Sequence, residues 1–444
     1  MLVRVRRLLL GFVVLAIGLS LTALAPPPDS SRITDNAILA EQLSPARIPD
    51  FLASHYGLAP EALDRDPAVV AEWWRGLTDT AQYRLTVRMP AIIGNLAGVD
   101  FAARDEANRT QLARDIAAAL ELSTYHPTDA VAATQLAALR AIEGALASST
   151  VPRLLIELTS DQPPLAAISV GDLDSARVVT FAVPGMGTYT TDMQLWTRAA
   201  KNIYDAQASA GASGQAVVAW VGYRTPPVGV EATRDAYADR GAQLLRRDIL
   251  GLRASREGGL QPVVNIVAHS YGTTTAAKAL APALDIRTFV MLGSAGVDRS
   301  IRSVADLAAE NVFSGEAAAD TQARWGRVDR TDPGTVQFGA THLHVDGNSA
   351  KGLLPVTGHE PIVHSPWNDD LASAAWTKYS DADTRAYLYA DHMASFGYLD
   401  PGTQSLAAVG VATTPPSIRA HLLHTIKRVH GVRAFAPTVL GSPR

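Results

Sequence analysis

One eleven-residue stretch restricts the fold more than any other: Val263-Val264-Asn265-Ile266-Val267-Ala268-His269-Ser270-Tyr271-Gly272-Thr273. A short β-branched run of this kind reads as a buried strand. It runs without a linker into Ala-x-Ser-x-Gly, and the residues that follow, Thr274, Thr275, Ala276 and Ala277, are all small. A serine placed on a sharp strand-to-helix turn needs minimal side chains two positions before and two after it, and its helix must pack close to the sheet. That is the context of a nucleophile elbow, with Ser270 as the nucleophile. Ala268 stands where Gly is usual, and a methyl group still fits. The competing reading is an ordinary strand-to-helix turn with Ser270 as a cap.

The surrounding texture agrees with a sheet. Three β runs, Leu154–Leu158, Ala166–Val170 and Val178–Val183, follow Pro152 in quick succession. Strands and helices then alternate: a strand at Ala216–Val221, a long amphipathic helix at Ala232–Arg256, the elbow strand, a helix at Gly272–Leu280, and strands at Ile286–Leu292 and Gln337–Val345. Early antiparallel strands followed by repeated strand–helix units predict a mostly parallel sheet covered on both faces. Before Pro152 the period is helical, as in Asn108–Leu122 and an Ala-rich helix from about Thr128, capped there or at Asp129. Trp73-Trp74 lies in one of these helices, where a core position is favoured over a binding surface.

An activated serine needs an oxyanion hole and two partners. The backbone N–H of Tyr271 supplies one expected donor. The other is expected from the loop after an earlier strand, where Gly185-Met186-Gly187 would let the backbone approach a substrate carbonyl closely. The acid and the histidine should follow the serine in that order. Asp320 is the candidate acid, with Asp329 and Asp332 as near competitors in a polar segment, and His359, His364 and His392 all qualify by order.

Composition removes other classes. At 444 residues and 47% apolar, the chain can build a large core and is too long for one average domain. A net charge of -4 offers no basic field for a phosphate backbone, so nucleic acid is not an expected partner. With no cysteine, any metal would need His, Asp or Glu; His342-Leu343-His344-Val345-Asp346 is the rival hydrolytic metal reading. An edge strand with a polar face explains that pair equally well, and neither metal nor cofactor is expected. Arg4, Arg6 and Arg7, the apolar run Leu8–Ala25 and Pro26-Pro27-Pro28 read as a signal peptide, or as an N-terminal membrane anchor. The protein is accordingly expected to be secreted or held at the outer face of the cell membrane, touching the membrane only through this segment.

Several stretches together resemble a bacterial α/β-hydrolase family long described as a domain of unknown function. They are Trp73-Trp74-Arg75-Gly76-Leu77, Gly94-Asn95-Leu96-Ala97-Gly98, Arg104-Asp105-Glu106-Ala107-Asn108-Arg109, Val183-Pro184-Gly185-Met186-Gly187-Thr188, Ala219-Trp220-Val221-Gly222-Tyr223, His269-Ser270-Tyr271-Gly272 and Leu292-Gly293-Ser294-Ala295-Gly296. The resemblance implies a helical segment ahead of a serine-hydrolase-like core, with Ser270 matching the nucleophile. Short members end in a His-Ser-x-aromatic segment before a Ser-Leu helix. Here His364-Ser365-Pro366-Trp367 is similar, but an insertion at about 365–397 precedes Tyr398–Leu406. His364 is therefore the expected base, with His392 as the alternative and His359 third. The expected organisation is a leader at 1–25, a helical domain at 26–150 and an α/β-hydrolase domain at 151–444. The expected activity is cleavage of a small ester or related acyl compound, and the alternative is a non-catalytic envelope protein that binds through its helices.

Overall fold

The computed structural model describes Leu52 and residues 66–416, except 148, 282–283, 366–367, 371–376 and 378. The segment read as a leader or anchor lies outside the described residues, and among those described no helix is long and apolar enough to cross a membrane. The helical part comprises α1 (Pro67–Gly76), α2 (Asp79–Arg88), α3 (Pro90–Ile93), α4 (Phe101–Tyr125) and α5 (Ala130–Ala145). Asp129 caps α5, its carboxylate accepting from the Val131 N–H at 2.8 Å. Trp74 is buried while Trp73 is partly exposed, so the pair serves mainly as core.

An eight-stranded sheet follows in the order β1-β2-β4-β3-β5-β6-β7-β8. Its strands are β1 (Arg153–Leu158), β2 (Ala166–Val170), β3 (Val178–Val183), β4 (Gln215–Val221), β5 (Val263–His269), β6 (Ile286–Leu292), β7 (Ala309–Gly315) and β8 (Thr341–His342). β2 pairs antiparallel with β1 and β4, and every other pairing is parallel. β2, β3 and β4 are buried at every position, which is why they read as continuous apolar runs rather than alternating ones.

Each face of the sheet has its own core. Val179, Phe181, Val183 and Trp220 pack on one face with Leu245, Ile249 and Leu252 of α7 (Ala236–Ser255) and Ala276, Ala277 and Leu280 of α8 (Tyr271–Leu280). On the other face Val217, Ala219 and Val290 meet α4, α5, Trp196 and Ile203 of α6 (Met193–Ser209), and Leu406 and Val409 of α11 (Gln404–Ala412). Two further helices are α9 (Gln322–Gly326) and α10 (Ala382–Met393).

Among the described residues the outer edge of β1 has no neighbouring strand, yet its backbone bonds to side chains of the helical part. Asn95 Nδ2 donates to the Leu158 carbonyl at 2.7 Å, and the Leu158 N–H donates back to Asn95 Oδ1 at 2.8 Å. Asn108 Nδ2 donates to the Leu155 carbonyl at 2.9 Å, and the Leu155 N–H donates to Asp105 Oδ1 at 2.6 Å. Arg109 adds a bond to the Arg153 carbonyl at 2.6 Å. These contacts replace the ladder that a ninth strand would have supplied. They also explain the glycine at 94, where a Cβ would fall 1.9 Å from Asn108 Oδ1.

The sheet departs from expectation at its far end. β7 was not anticipated as a strand, because AENVFSG lacks both a continuous apolar run and a clean alternation. The strand expected at Gln337–Val345 contracts to Thr341–His342, and both of these residues are exposed. His342 and His344 sit ring to ring there, with centroids 5.0 Å apart.

Candidate active site

The elbow forms where β5 ends and α8 begins. Ser270 has φ +53° and ψ −125°, a conformation that side-chain-bearing residues rarely adopt. Its backbone is fixed from several directions. The Ser270 N–H donates to the Leu292 carbonyl at 3.0 Å, and its own carbonyl accepts from the Thr273 N–H at 3.0 Å and the Thr273 hydroxyl at 2.7 Å. Gly272 admits α8 close to β3, since a Cβ there would lie 2.5 Å from the Pro184 carbonyl oxygen. Ala268 is fully buried in β5, so the methyl group that departs from the usual Gly is accommodated.

The structure brings Ser270, His359 and Asp320 together. His359 Nε2 is 2.8 Å from Ser270 Oγ, and His359 Nδ1 is 2.9 and 2.8 Å from the two Asp320 oxygens. The three are nearly sealed from solvent, at 3%, 9% and 0% exposure respectively. Asp320 also accepts from the Ala323 N–H at 3.0 Å and from the Tyr398 hydroxyl at 2.8 Å. Burial pushes the Asp320 carboxyl up, but its bonds to His359, Ala323 and Tyr398 and the nearby imidazole outweigh it and hold the group below the usual carboxylate range. Asp329 pairs with Arg299, and Asp332 with Arg327, so neither competitor faces the imidazole.

The histidine expectation needs correction. His364 and His392 do not join Ser270; they lie together with Asp369, with His392 Nε2 2.6 Å from Asp369 Oδ1. The reason lies in how the chain turns after His359. Asp400 accepts from the backbone N–H groups of Val363 and His364 at 2.9 and 3.1 Å and anchors that segment beside the turn at 397–400. The similarity at His364-Ser365 pointed to a histidine five residues too late.

Three residues with no sequence-assigned role support the set. His269 Nε2 donates to the His359 carbonyl at 2.7 Å; burial, aided by the neighbouring His359, pushes the His269 imidazole down to about 3 and keeps it neutral. Tyr398, buried and raised well above the ordinary phenol range, accepts from the Ala317 N–H at 2.9 Å while donating to Asp320. Gly293, at φ +51°, leaves room for the carboxylate, because a Cβ there would lie 2.8 Å from Asp320 Oδ2. His269 and Gly293 fall within motif stretches, and Tyr398 opens the segment before the Ser-Leu helix; only their spatial convergence reveals a role.

The loop after β3 passes directly over the serine. A Cβ on Gly185 would lie 2.7 Å from Ser270 Cβ, so only glycine allows this approach. Tyr223 holds the loop by donating to the Pro184 carbonyl at 2.7 Å, and Thr225 by donating to the Thr188 carbonyl at 2.9 Å. Met186 is partly exposed beside it. Tyr271 is the first residue of α8, so its N–H has no acceptor within the helix.

The family comparison agrees with this architecture. Residues 160–329 match the family described as alpha/beta hydrolase. An uncharacterized protein of Mycobacterium tuberculosis is 28% identical over 339 residues, which cover 64% of this chain and 52% of that protein. An uncharacterized protein of Mycobacterium bovis is 30% identical over 182 residues, covering 37% of this chain and 65% of its own length. The chain thus spans about half the length of the first of these relatives. Among solved structures, a Pyrobaculum calidifontis esterase overlays on 67% of this chain and 94% of its own, at 12% identity and a TM-score of 0.32. The family match and the sheet that carries Ser270 at the end of its central strand give this chain an α/β-hydrolase fold and its resemblance to that bacterial hydrolase family.

Proposed function

We propose that the protein is a serine hydrolase that cleaves an ester or related acyl compound through Ser270, His359 and Asp320. The observation that carries this reading is the unbroken hydrogen-bond chain from Tyr398 through Asp320 and His359 to Ser270 Oγ. Ser270 Oγ attacks the acyl carbonyl as its proton passes to His359 Nε2. The oxyanion is met by backbone N–H groups of Tyr271 and of the Gly185–Met186 loop. Collapse of the tetrahedral intermediate expels the alcohol, which takes the proton from His359. Water then repeats the sequence on the acyl-enzyme and regenerates Ser270. Asp320 holds the imidazole in the tautomer with the proton on Nδ1 and stabilises the imidazolium. The strained, multiply bonded elbow supports catalysis over a purely binding role, because such strain persists only where the surroundings over-determine it. The charged start and the apolar run of residues 1–25 support a secreted protein or one anchored at the outer face of the cell membrane.

A fluorophosphonate probe reports an activated serine by covalent capture. The wild-type protein should be labelled and should hydrolyse members of a chain-length series of activated esters, and Ser270→Ala should do neither. Equal labelling of Ser270→Ala would overturn the assignment.

A further inference from the structure

We propose that His364, Asp369 and His392 form a binding site for a divalent transition-metal ion of the zinc type, tying the insertion to the chain segment that follows His359. One ligand atom from each of the three residues can be chosen so that all lie within 4.8 Å of one another. Asp369 Oδ1 is 2.6 Å from His392 Nε2 and 3.7 Å from His364 Nδ1. The two imidazoles stand edge to face, with centroids 5.1 Å apart. His392 is within hydrogen-bond reach of Asp369, whereas His364 Nδ1 stops beyond it, at a spacing from the same oxygen that a shared ion would bridge.

The donor chemistry selects the ion. Two imidazole nitrogens and one carboxylate suit zinc and its first-row neighbours, whereas magnesium and calcium favour all-oxygen sets. Ligand atoms about 2.0–2.1 Å from a tetrahedral zinc lie roughly 3.3 Å from each other, so the present spacing needs only small side-chain movements. All three residues are partly exposed, which leaves a path for entry. His342 and His344 also lie close together, but no third ligand joins them among the described residues.

The site's position gives it a consequence. Asp400 accepts from the His364 N–H at 3.1 Å and from the Gly397 N–H at 2.7 Å, and Tyr398 in the same turn donates to Asp320. His392 belongs to α10, within the insertion. A bound ion therefore clamps α10 onto the support of the Asp320–His359 pair without touching the reacting atoms.

The test uses the full chain carrying Ser270→Ala, so that failure here is separate from failure of the hydrolase reading. After zinc loading and dialysis, elemental analysis should find one zinc per chain, and calorimetric titration with zinc should saturate at that ratio. Asp369→Asn and His392→Gln should each weaken binding at least about tenfold, and magnesium should not compete. Cobalt offers a direct readout of the ligands. His392→Cys should retain cobalt and add a thiolate charge-transfer band, which a merely structural role for His392 would not produce. The proposal is overturned if folded protein retains no zinc, if His392→Cys gives no such band, or if binding disappears in His342→Gln/His344→Gln instead.

Discussion

His359 is held at three points: by Ser270 and Asp320 through its ring and by His269 through its carbonyl. Replacing it with Gln removes the proton acceptor while keeping comparable bulk. kcat for an activated ester should fall by about a thousandfold or more with little change in KM, as steady-state kinetics would show. Tyr398 acts one step back. Because the Asp320 carboxyl sits lower in the folded protein than in an open chain, it contributes stability that is present above about pH 3.9 and lost as pH falls through its folded value. Tyr398→Phe removes one of the bonds that lower it. The folded value then rises, and the acid limbs of both stability and kcat/KM should move to higher pH, with kcat reduced roughly tenfold. An acid limb that stays in place would mean that Tyr398 only packs. The identity of the base was not legible in the sequence because Gly358-His359-Glu360 has no local signature. What positions His359 is a hydrogen bond from His269, 90 residues earlier in the chain.

At the level of elements, legibility followed apolar continuity. β2, β3 and β6 were readable to the residue because their runs are unbroken, and the elbow because its small residues flank a strand end. β7 carries Asn311 and Glu310 among its apolar residues, and β8 is held by little more than its pairing with β7, so neither pattern could announce itself. α8 is secured by a charge cluster that sequence spacing hides. Lys278 donates to Asp298 at 2.5 Å and pairs with Asp239 of α7 at 2.8 Å. The Lys278 bond is the largest cause that holds the Asp298 carboxyl down to about 2. That stability is present above about pH 3.9 and lost as pH falls toward 2; solvent screens this partly exposed cluster, so Asp298→Asn should lower stability near neutral pH by only about 1 kcal/mol and flatten its acid dependence. Urea unfolding at pH 7 and pH 3 measures both. On β1, Asn108→Ala would leave the buried Leu155 carbonyl without its side-chain donor, and a loss of about 1–3 kcal/mol is expected in the same assay.

Across the whole molecule, the helices before Pro152 and the sheet share a boundary made of side-chain hydrogen bonds along β1 and of an apolar core beneath α4 and α5, rather than a linker. A chain starting at about residue 150 would expose the β1 edge with five backbone groups unpaired. Such a fragment should aggregate, as size-exclusion chromatography would reveal, whereas the full chain stays dispersed. The same edge has a bearing on synthesis. Whether it leaves a ribosome or threads through a membrane pore, the chain emerges N-terminus first, and Asn95, Asp105 and Asn108 precede the strand they cover. The adhesive margin of the sheet thus meets its own cover as it is born. Moving those helices to the other end of the gene would leave the nascent strand bare for the time needed to translate some 290 residues.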